Sequence, residues 1–325
     1  MGKTGKRIVL GSSIAFAGLA AAGIAHYTAM DHLGKLAFDR DYQIADTPKN
    51  RERIKGSSDN LDFMRHRDLC AARFRKAETR EVSVAAEDGT RLQGHWLPAE
   101  NSRRIVIAMH GWRSDWLHDF GMVWDFFLRH GCSVLYAEQR GQNSSEGKYM
   151  GFGVLERHDC LSWAKWAVSV SEGNQPIYLA GVSMGATTVL MASDLPMPEQ
   201  VKGVIADCGF TSIQAIGQHV MKNNLHLRLP MTNRMMDILC KKRLNVRAGE
   251  HTTTQSLRNT HLPVLLVHGQ ADSFVPVSMS YENYGCCKSP RELLVVPGAD
   301  HGMSYYLEPK RYQDAVLRFW EKYDH

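Results

Sequence analysis

Repetition is absent from this chain: there is no internal repeat and no low-complexity run, which excludes solenoid and repeat-array plans. No group of His and Cys residues has the spacing of a zinc site, so no metal is expected, and no cofactor-binding pattern is read. Cysteines are few and odd in number, 7 in all, so at least one thiol is unpaired and no disulfide framework carries the fold. Cys132 and Cys208 border apolar strands and read as small core residues. The adjacent Cys286 and Cys287 could form only a strained bridge. No nucleic-acid partner is expected.

What is present is an ordinary globular composition, 44% hydrophobic and 22% charged over 325 residues. Setting aside the first 80 leaves about 245 residues, enough for one α/β domain spanning 81–325. Apolar strands alternate with helical stretches there, which calls for a mainly parallel sheet with helices on both faces. Glu81–Val84 and Arg91–Leu97 flank the turn Glu87-Asp88-Gly89-Thr90, a hairpin that opens the sheet antiparallel.

The densest signal is Gly181-Val182-Ser183-Met184-Gly185. The apolar strand Ile177–Ala180 precedes it, and Ala186–Ala192 follows as the first turns of a buried helix. Strand, G-x-S-x-G and helix in that order make a nucleophile elbow: the serine is held at strained backbone angles, clear of the sheet and beside a helix N-terminus. Serine needs a base, and the base an orienting carboxylate. Two later strands supply candidates. Leu262–His268 runs into a turn with Asp272 at its tip, and Glu292–Val296 leads into Asp300-His301-Gly302. Each residue alone reads as a loop residue, but three in the order Ser, Asp, His, each directly after a strand, read as a site. Asp207, at the end of Gly203–Ala206, competes with Asp272 for the orienting role. Arg104–Met109 is an early core strand ending in His110-Gly111-Trp112. Gly111 lets the backbone turn so that the Trp112 N–H, with the Met184 N–H, forms an oxyanion hole, while His110 ties the loop down.

These motifs resemble the α/β-hydrolase family, in particular bacterial serine hydrolases with an H-G-aromatic oxyanion loop and the serine aminopeptidase-like subgroup. The resemblance runs from about Glu81 to the C-terminus and includes His268-Gly269-x-x-Asp272-x-x-Val275-Pro276. It implies an eight-stranded, mostly parallel sheet with a small helical lid, and a Ser183-Asp272-His301 triad acting on a small-molecule ester or acyl substrate through an acyl-enzyme. The same residues would serve an acyltransferase, a thioesterase, a peptidase-like enzyme or a cofactor-free haloperoxidase, and the fold also hosts binding modules without catalysis. One departure stands out. Where many members carry D-x-R-G-x-G-x-S, this chain has Glu138-Gln139-Arg140-Gly141-Gln142-Asn143-Ser144-Ser145, with Asn143 replacing a glycine in a structural turn.

Residues 211–250 hold seven basic and two acidic side chains, an excess equal to the whole net charge of +5. They span a gap longer than a crossover helix requires, the position of a lid in the family. Met231, Met235, Ile238 and Leu239 recur at helical spacing after Pro230, giving one amphipathic helix whose methionines suit an apolar acyl group or ordinary packing. Its basic face reads as a solvated surface or as a site for an anionic surface or substrate. At the N-terminus, Lys3, Lys6 and Arg7 precede the uncharged stretch Ile8–Ala25, and Tyr27 reads as an interfacial anchor. Residues 1–30 are therefore expected to be an uncleaved membrane anchor with the catalytic domain outside the cytoplasm, the alternative being a cleaved signal peptide and a secreted protein. Residues 31–80 read as a polar stalk or helical lead-in.

Overall fold

Eight strands hydrogen-bond into one sheet in the order β1-β2-β4-β3-β5-β6-β7-β8. They are β1 (Arg80–Ala85), β2 (Arg91–Leu97), β3 (Arg104–Met109), β4 (Cys132–Ala137), β5 (Ile177–Val182), β6 (Val201–Asp207), β7 (Val264–Gly269) and β8 (Arg291–Val296). This computed structural model describes residues 23–42, 60–171, 175–227 and 231–325. The β1–β2 hairpin and the β2–β4 pair are antiparallel; every later pair is parallel. The hairpin strand β1 is half-exposed, whereas β3, β4 and β7 are buried along their whole length, as parallel strands covered on both faces must be.

Alternation along each strand divides the core in two. Ile105, Ile107 and Met109 of β3 face one layer with Leu135, Leu179 and Val204, under the helices Glu156–Val170 and Met184–Ala192. Val106 and Ala108 face the other layer with Tyr136, Tyr178 and Ile205. The helix Pro309–Tyr323 closes that side with Tyr312, Ala315, Val316, Phe319 and Trp320, a stripe at helical spacing. The turn after β4 uses left-handed backbone at two positions. Gly141 and Asn143 have φ of 68° and 48°, and Arg140 pairs with Asp88 at 2.7 Å and with the buried Asp159 at 2.6 Å. All seven cysteines are free thiols, including Cys286 and Cys287.

The N-terminal expectation needs correction. Among the described residues no helix is long and apolar enough to cross a membrane, so the anchor and the extracytoplasmic placement built on it are not supported. Most of the uncharged stretch, up to residue 22, lies outside the described residues. Residues 23–38 are helical and pack against the body of the protein. Met30 and Phe38 are buried with Ile213, Met221, Met236 and Leu239. The described parts of 31–80 are largely helical. The helix Leu61–Phe74 buries Phe63, Ala71 and Phe74, with Phe74 stacked at 5.0 Å on Trp124.

The segment expected as a lid contains the helices Ile213–His219 and Thr232–Leu244 with a π-helical turn, Val220–Asn224, between them. The apolar stripe differs from the one read in sequence. Met236, Leu239, Cys240, Arg243 and Leu244 are buried, while Met231 and Ile238 are 61% and 42% exposed. The register is rotated because Arg243 faces inward: its side chain is 3% exposed and bonds to Asp31 at 3.0 Å and Asp39 at 2.7 Å. Lys242 reaches Asp31 at 3.5 Å, so part of the basic cluster is neutralised by the N-terminal helix.

Candidate active site

Parallel register brings the strand ends together. Met109 of β3 lies opposite Gly181 of β5, Val182 opposite Asp207 of β6, Asp207 opposite Val267 of β7, and Gly269 opposite Val296 of β8. The loops leaving those ends therefore share one rim, where ligand chemistry sits in an open α/β sheet.

At the elbow, Ser183 has φ 55° and ψ −117°, a conformation costing on the order of 1–3 kcal/mol that persists only when its surroundings hold it. The two flanking glycines make that possible. A Cβ on Gly181 would lie 2.3 Å from the Gly185 carbonyl carbon, and one on Gly185 would lie 1.9 Å from the Met109 oxygen. No other residue type fits either position.

The three residues expected to act together are within hydrogen-bond reach. His301 Nε2 lies 2.9 Å from Ser183 Oγ, and His301 Nδ1 lies 2.8 Å from Asp272 Oδ2. Asp272 is pinned in turn: its Oδ1 accepts the Phe274 and Val275 N–H groups at 3.0 and 2.8 Å, and His268 Nε2 stands 3.2 Å from Oδ2. Burial opposes charge on Asp272, but the His301 imidazolium and hydrogen bonds from both histidines outweigh it and hold the carboxyl well below its usual range. Burial likewise works against an imidazolium at His301, yet the Asp272 carboxylate, with Cys208 beside the ring, raises its pKa well above the ordinary value. The His301 side chain keeps 17% of its surface exposed, so a substrate can reach it.

Asp207 is not bonded to the imidazole. Its carboxylate accepts from Ser304 Oγ at 3.2 Å, and burial, only partly offset by His268, pushes its pKa up to about 6.

The loop after β3 abuts Ser183: a Cβ on Gly111 would sit 3.3 Å from the Ser183 Cβ. Met184 is the first residue of its helix, so its N–H has no acceptor within that helix. Trp112, the other expected donor, follows Gly111 directly. His110 is fully buried; its Nδ1 lies 2.8 Å from the Gly111 oxygen and its Nε2 accepts the Gln139 N–H at 3.1 Å.

Several contributors carry no sequence signal of their own. Asp119 accepts the Gly111 N–H at 2.6 Å and the Ser114 hydroxyl at 2.7 Å, fixing the loop after β3 from eight residues beyond Gly111. Asp300 accepts the Ser273 and His301 N–H groups at 2.9 and 2.8 Å, tying the two loops that carry Asp272 and His301. Cys208, at φ 50°, is fully buried, and its thiol is pushed up to about 11 by that burial. Side-chain atoms of Cys208, Asp272 and His301 lie within 4.8 Å of one another, a juxtaposition that residue spacing in the chain did not disclose. The signal that existed was positional, since Cys208 and Asp300 each lie one or two residues past a strand end or beside a named residue.

The profile of the Prolyl oligopeptidase family matches residues 120–324. The chain belongs to that family. The uncharacterized protein YqkD of Bacillus subtilis (strain 168) is 25% identical over 248 residues, 76% of this chain and 80% of that one. Among solved structures, the Pyrococcus furiosus esterase Pf2001 superposes with a TM-score of 0.64 at 23% identity, covering 87% of this chain and all 100% of that one. The Pyrococcus horikoshii acylaminoacyl peptidase gives a TM-score of 0.55 at 16% identity over 78% of this chain and 43% of its own. At these identities the two structures establish the α/β-hydrolase fold. Family and fold together make the chain a serine hydrolase.

Proposed function

We propose that this hydrolase cleaves carboxylic esters through an acyl-enzyme on Ser183. His301 Nε2 takes the Ser183 proton as Oγ attacks the carbonyl carbon, and the oxygen of the tetrahedral intermediate is held by the Trp112 and Met184 N–H groups. His301 then hands the proton to the leaving alcohol, takes one from the water that attacks the acyl carbon, and returns it to Ser183 Oγ as the Oγ–acyl bond breaks and the carboxylic acid leaves. Asp272 fixes the imidazole tautomer and stabilises the imidazolium. In this reading 81–325 is the catalytic unit and 211–250 its lid.

The observation that carries the proposal is the unbroken hydrogen-bond chain Ser183–His301–Asp272, built on a serine at positive φ. A second reading, cleavage of a peptide, is favoured by the family match, and the acylaminoacyl peptidase among the structural neighbours points to an acylated one. Labelling the intact protein with a fluorophosphonate, then comparing a p-nitrophenyl ester with an acyl-peptide p-nitroanilide, tests both. Labelling at Ser183 with faster ester turnover is expected. Faster anilide turnover would transfer the assignment to peptides, and failure to label would remove the serine mechanism.

The pH profile follows from the charge around His301. The ring must be neutral to accept a proton, and its pKa is raised by Asp272. Activity should therefore be low in acid and rise with pH, with kcat/KM half-maximal above about 6.5, the ordinary imidazole value. A midpoint below that value would mean that Asp272 does not act on His301 as described.

A further inference from the structure

Of the three successive N–H groups in Gly111-Trp112-Arg113, the outer two are already engaged. Gly111 donates to Asp119 at 2.6 Å and Arg113 to Gln142 Oε1 at 2.5 Å. The middle one, on Trp112, has no acceptor among the described residues. The backbone just past it is strained: Arg113 has φ 49°, a left-handed angle that a residue with a Cβ keeps only when its surroundings fix it. Gln142 is one such restraint, and residues 36–40 supply the others.

The last carbonyls of a helix lack intrahelical partners. At the end of the helix 23–38 they are met by the two side chains that follow Gly111. Trp112 Nε1 donates to the Ala37 oxygen at 2.9 Å, and Arg113 Nη2 donates to the Leu36 and Asp39 oxygens at 3.1 and 2.8 Å. The Arg113 guanidinium also lies over the Trp112 ring, 5.3 Å from its centroid, so the two side chains brace each other. Residues 38–40 are themselves anchored elsewhere. The Phe38 oxygen accepts the Met150 N–H at 2.8 Å, and the Arg40 N–H donates to the Lys148 oxygen at 3.0 Å. The Arg40 guanidinium donates to the Ser145 and Asn143 oxygens at 2.5 and 2.6 Å, and Asp39 pairs with the buried Arg243 at 2.7 Å. Residues 36–40 thus tie the loop after β3 to the turn after β4 and to the helix Thr232–Leu244. None of these bonds involves Ser183, Asp272 or His301.

We propose that residues 36–40 form a clasp that aims the Trp112 N–H at the developing oxyanion, with the side chains of Trp112 and Arg113 as the positioning residues through which it acts. The proposal rests on the oxyanion hole in the reading above. An N–H that meets charge only in the tetrahedral intermediate stabilises the transition state and not the bound ester. Acylation and deacylation both pass through an oxyanion, so a loosened clasp slows both, lowers kcat and leaves KM in place. Removing an oxyanion donor costs about 10²–10³ in kcat, and a donor displaced but retained should cost about ten- to a hundredfold.

The test measures kcat and KM of the full chain on p-nitrophenyl acetate. Arg113→Met removes the guanidinium donors, and Trp112→Phe keeps a ring and loses the Nε1–H. Each should lower kcat about tenfold or more, with KM within about twofold of wild type. Arg113→Lys, which can still reach a helix-end carbonyl, should recover most of the loss. Arg40→Met should lower kcat at least about threefold, although its guanidinium bonds the turn after β4 and not the loop after β3. The pH midpoint of kcat/KM should not move in any of them, because Asp272 and His301 are untouched. Lys35→Ala, at an exposed position of the same helix, should change neither constant. Wild-type kcat in folded Arg113→Met and Trp112→Phe, a raised KM in place of a lowered kcat, or an unaffected Arg40→Met overturns the clasp. If Arg113→Met does not fold, Trp112→Phe and Arg40→Met decide it. Fluorophosphonate labelling of wild type keeps the readings apart: a labelled, active enzyme indifferent to these substitutions loses the clasp and keeps the Ser183 mechanism, whereas an unlabelled, inactive protein loses the mechanism beneath it.

Discussion

Ser183→Ala should lower kcat on a small ester by about five to six orders of magnitude and abolish fluorophosphonate labelling, since removing a nucleophile removes the chemical step that the rest of the site serves. The loss should be chemical and not structural. The side chain contributes one hydrogen bond, to His301, while the elbow is held by its glycines and by the Ser183 N–H donating to the Asp207 oxygen at 2.8 Å. A companion variant tests the strain directly. Ser183→Gly should be equally inactive but melt higher than Ser183→Ala, because only glycine adopts φ 55°, ψ −117° without penalty. Appreciable activity in either variant would remove Ser183 from the mechanism. Equal melting temperatures would show that the elbow stores no backbone strain.

Strand and motif were legible wherever the chain itself carried them. Apolar runs such as Val264–Val267 and the glycines around Ser183 announce their structure locally, because burial on both faces of a parallel sheet and the approach of two backbones each leave a sequence trace. The spatial order of the strands leaves no such local trace: β4 lies between β2 and β3, and β3 beside β5, an arrangement implied by the family resemblance alone, and with it comes the meeting of Ser183, Asp272 and His301 at one rim. Two things were not legible. The first is the stripe of Thr232–Leu244: periodicity pointed to Met231, Met235, Ile238 and Leu239, of which Leu239 is buried, whereas the buried face also holds Met236 and Arg243, whose charge is tolerated only because Asp31 and Asp39 arrive from about 200 residues away. The second is the N-terminal helix. Residues 23–38 bury Met30 and Phe38 against residues 213–244, tertiary contacts that no local pattern announces. The same contacts change what a surface variant means. Replacing Lys241, Lys242 and Arg243 together would not simply remove exposed charge, since it would take the Arg243 ion pair from Asp39 and leave Asp31 with only Lys35.

Asp272→Asn should reduce kcat by about four orders of magnitude, because it inverts the tautomer of the base. Two backbone N–H groups, those of Phe274 and Val275, already claim Oδ1. An asparagine would therefore keep its oxygen there and turn its NH₂ toward His301 Nδ1. The imidazole would have to accept at Nδ1 and carry its proton on Nε2, where it cannot take one from Ser183. With the carboxylate gone, the residual activity should also titrate at lower pH than in wild type. Asp207→Asn is the contrasting case. Asp207 bonds to Ser304 and not to the imidazole, so its activity should stay within about tenfold of wild type. Its stability should respond instead. A carboxyl raised to about 6 by burial loses its proton more easily in the unfolded chain, so its charge costs stability increasingly as pH rises from about 4 to 6, and fully above that. Asparagine has no such charge, and Asp207→Asn should melt higher than wild type at pH 8 but gain less at pH 4. If Asp207→Asn instead cost more activity than Asp272→Asn, the orienting carboxylate would be the one at the end of β6, and the hydrogen bond from His301 to Asp272 would be structural.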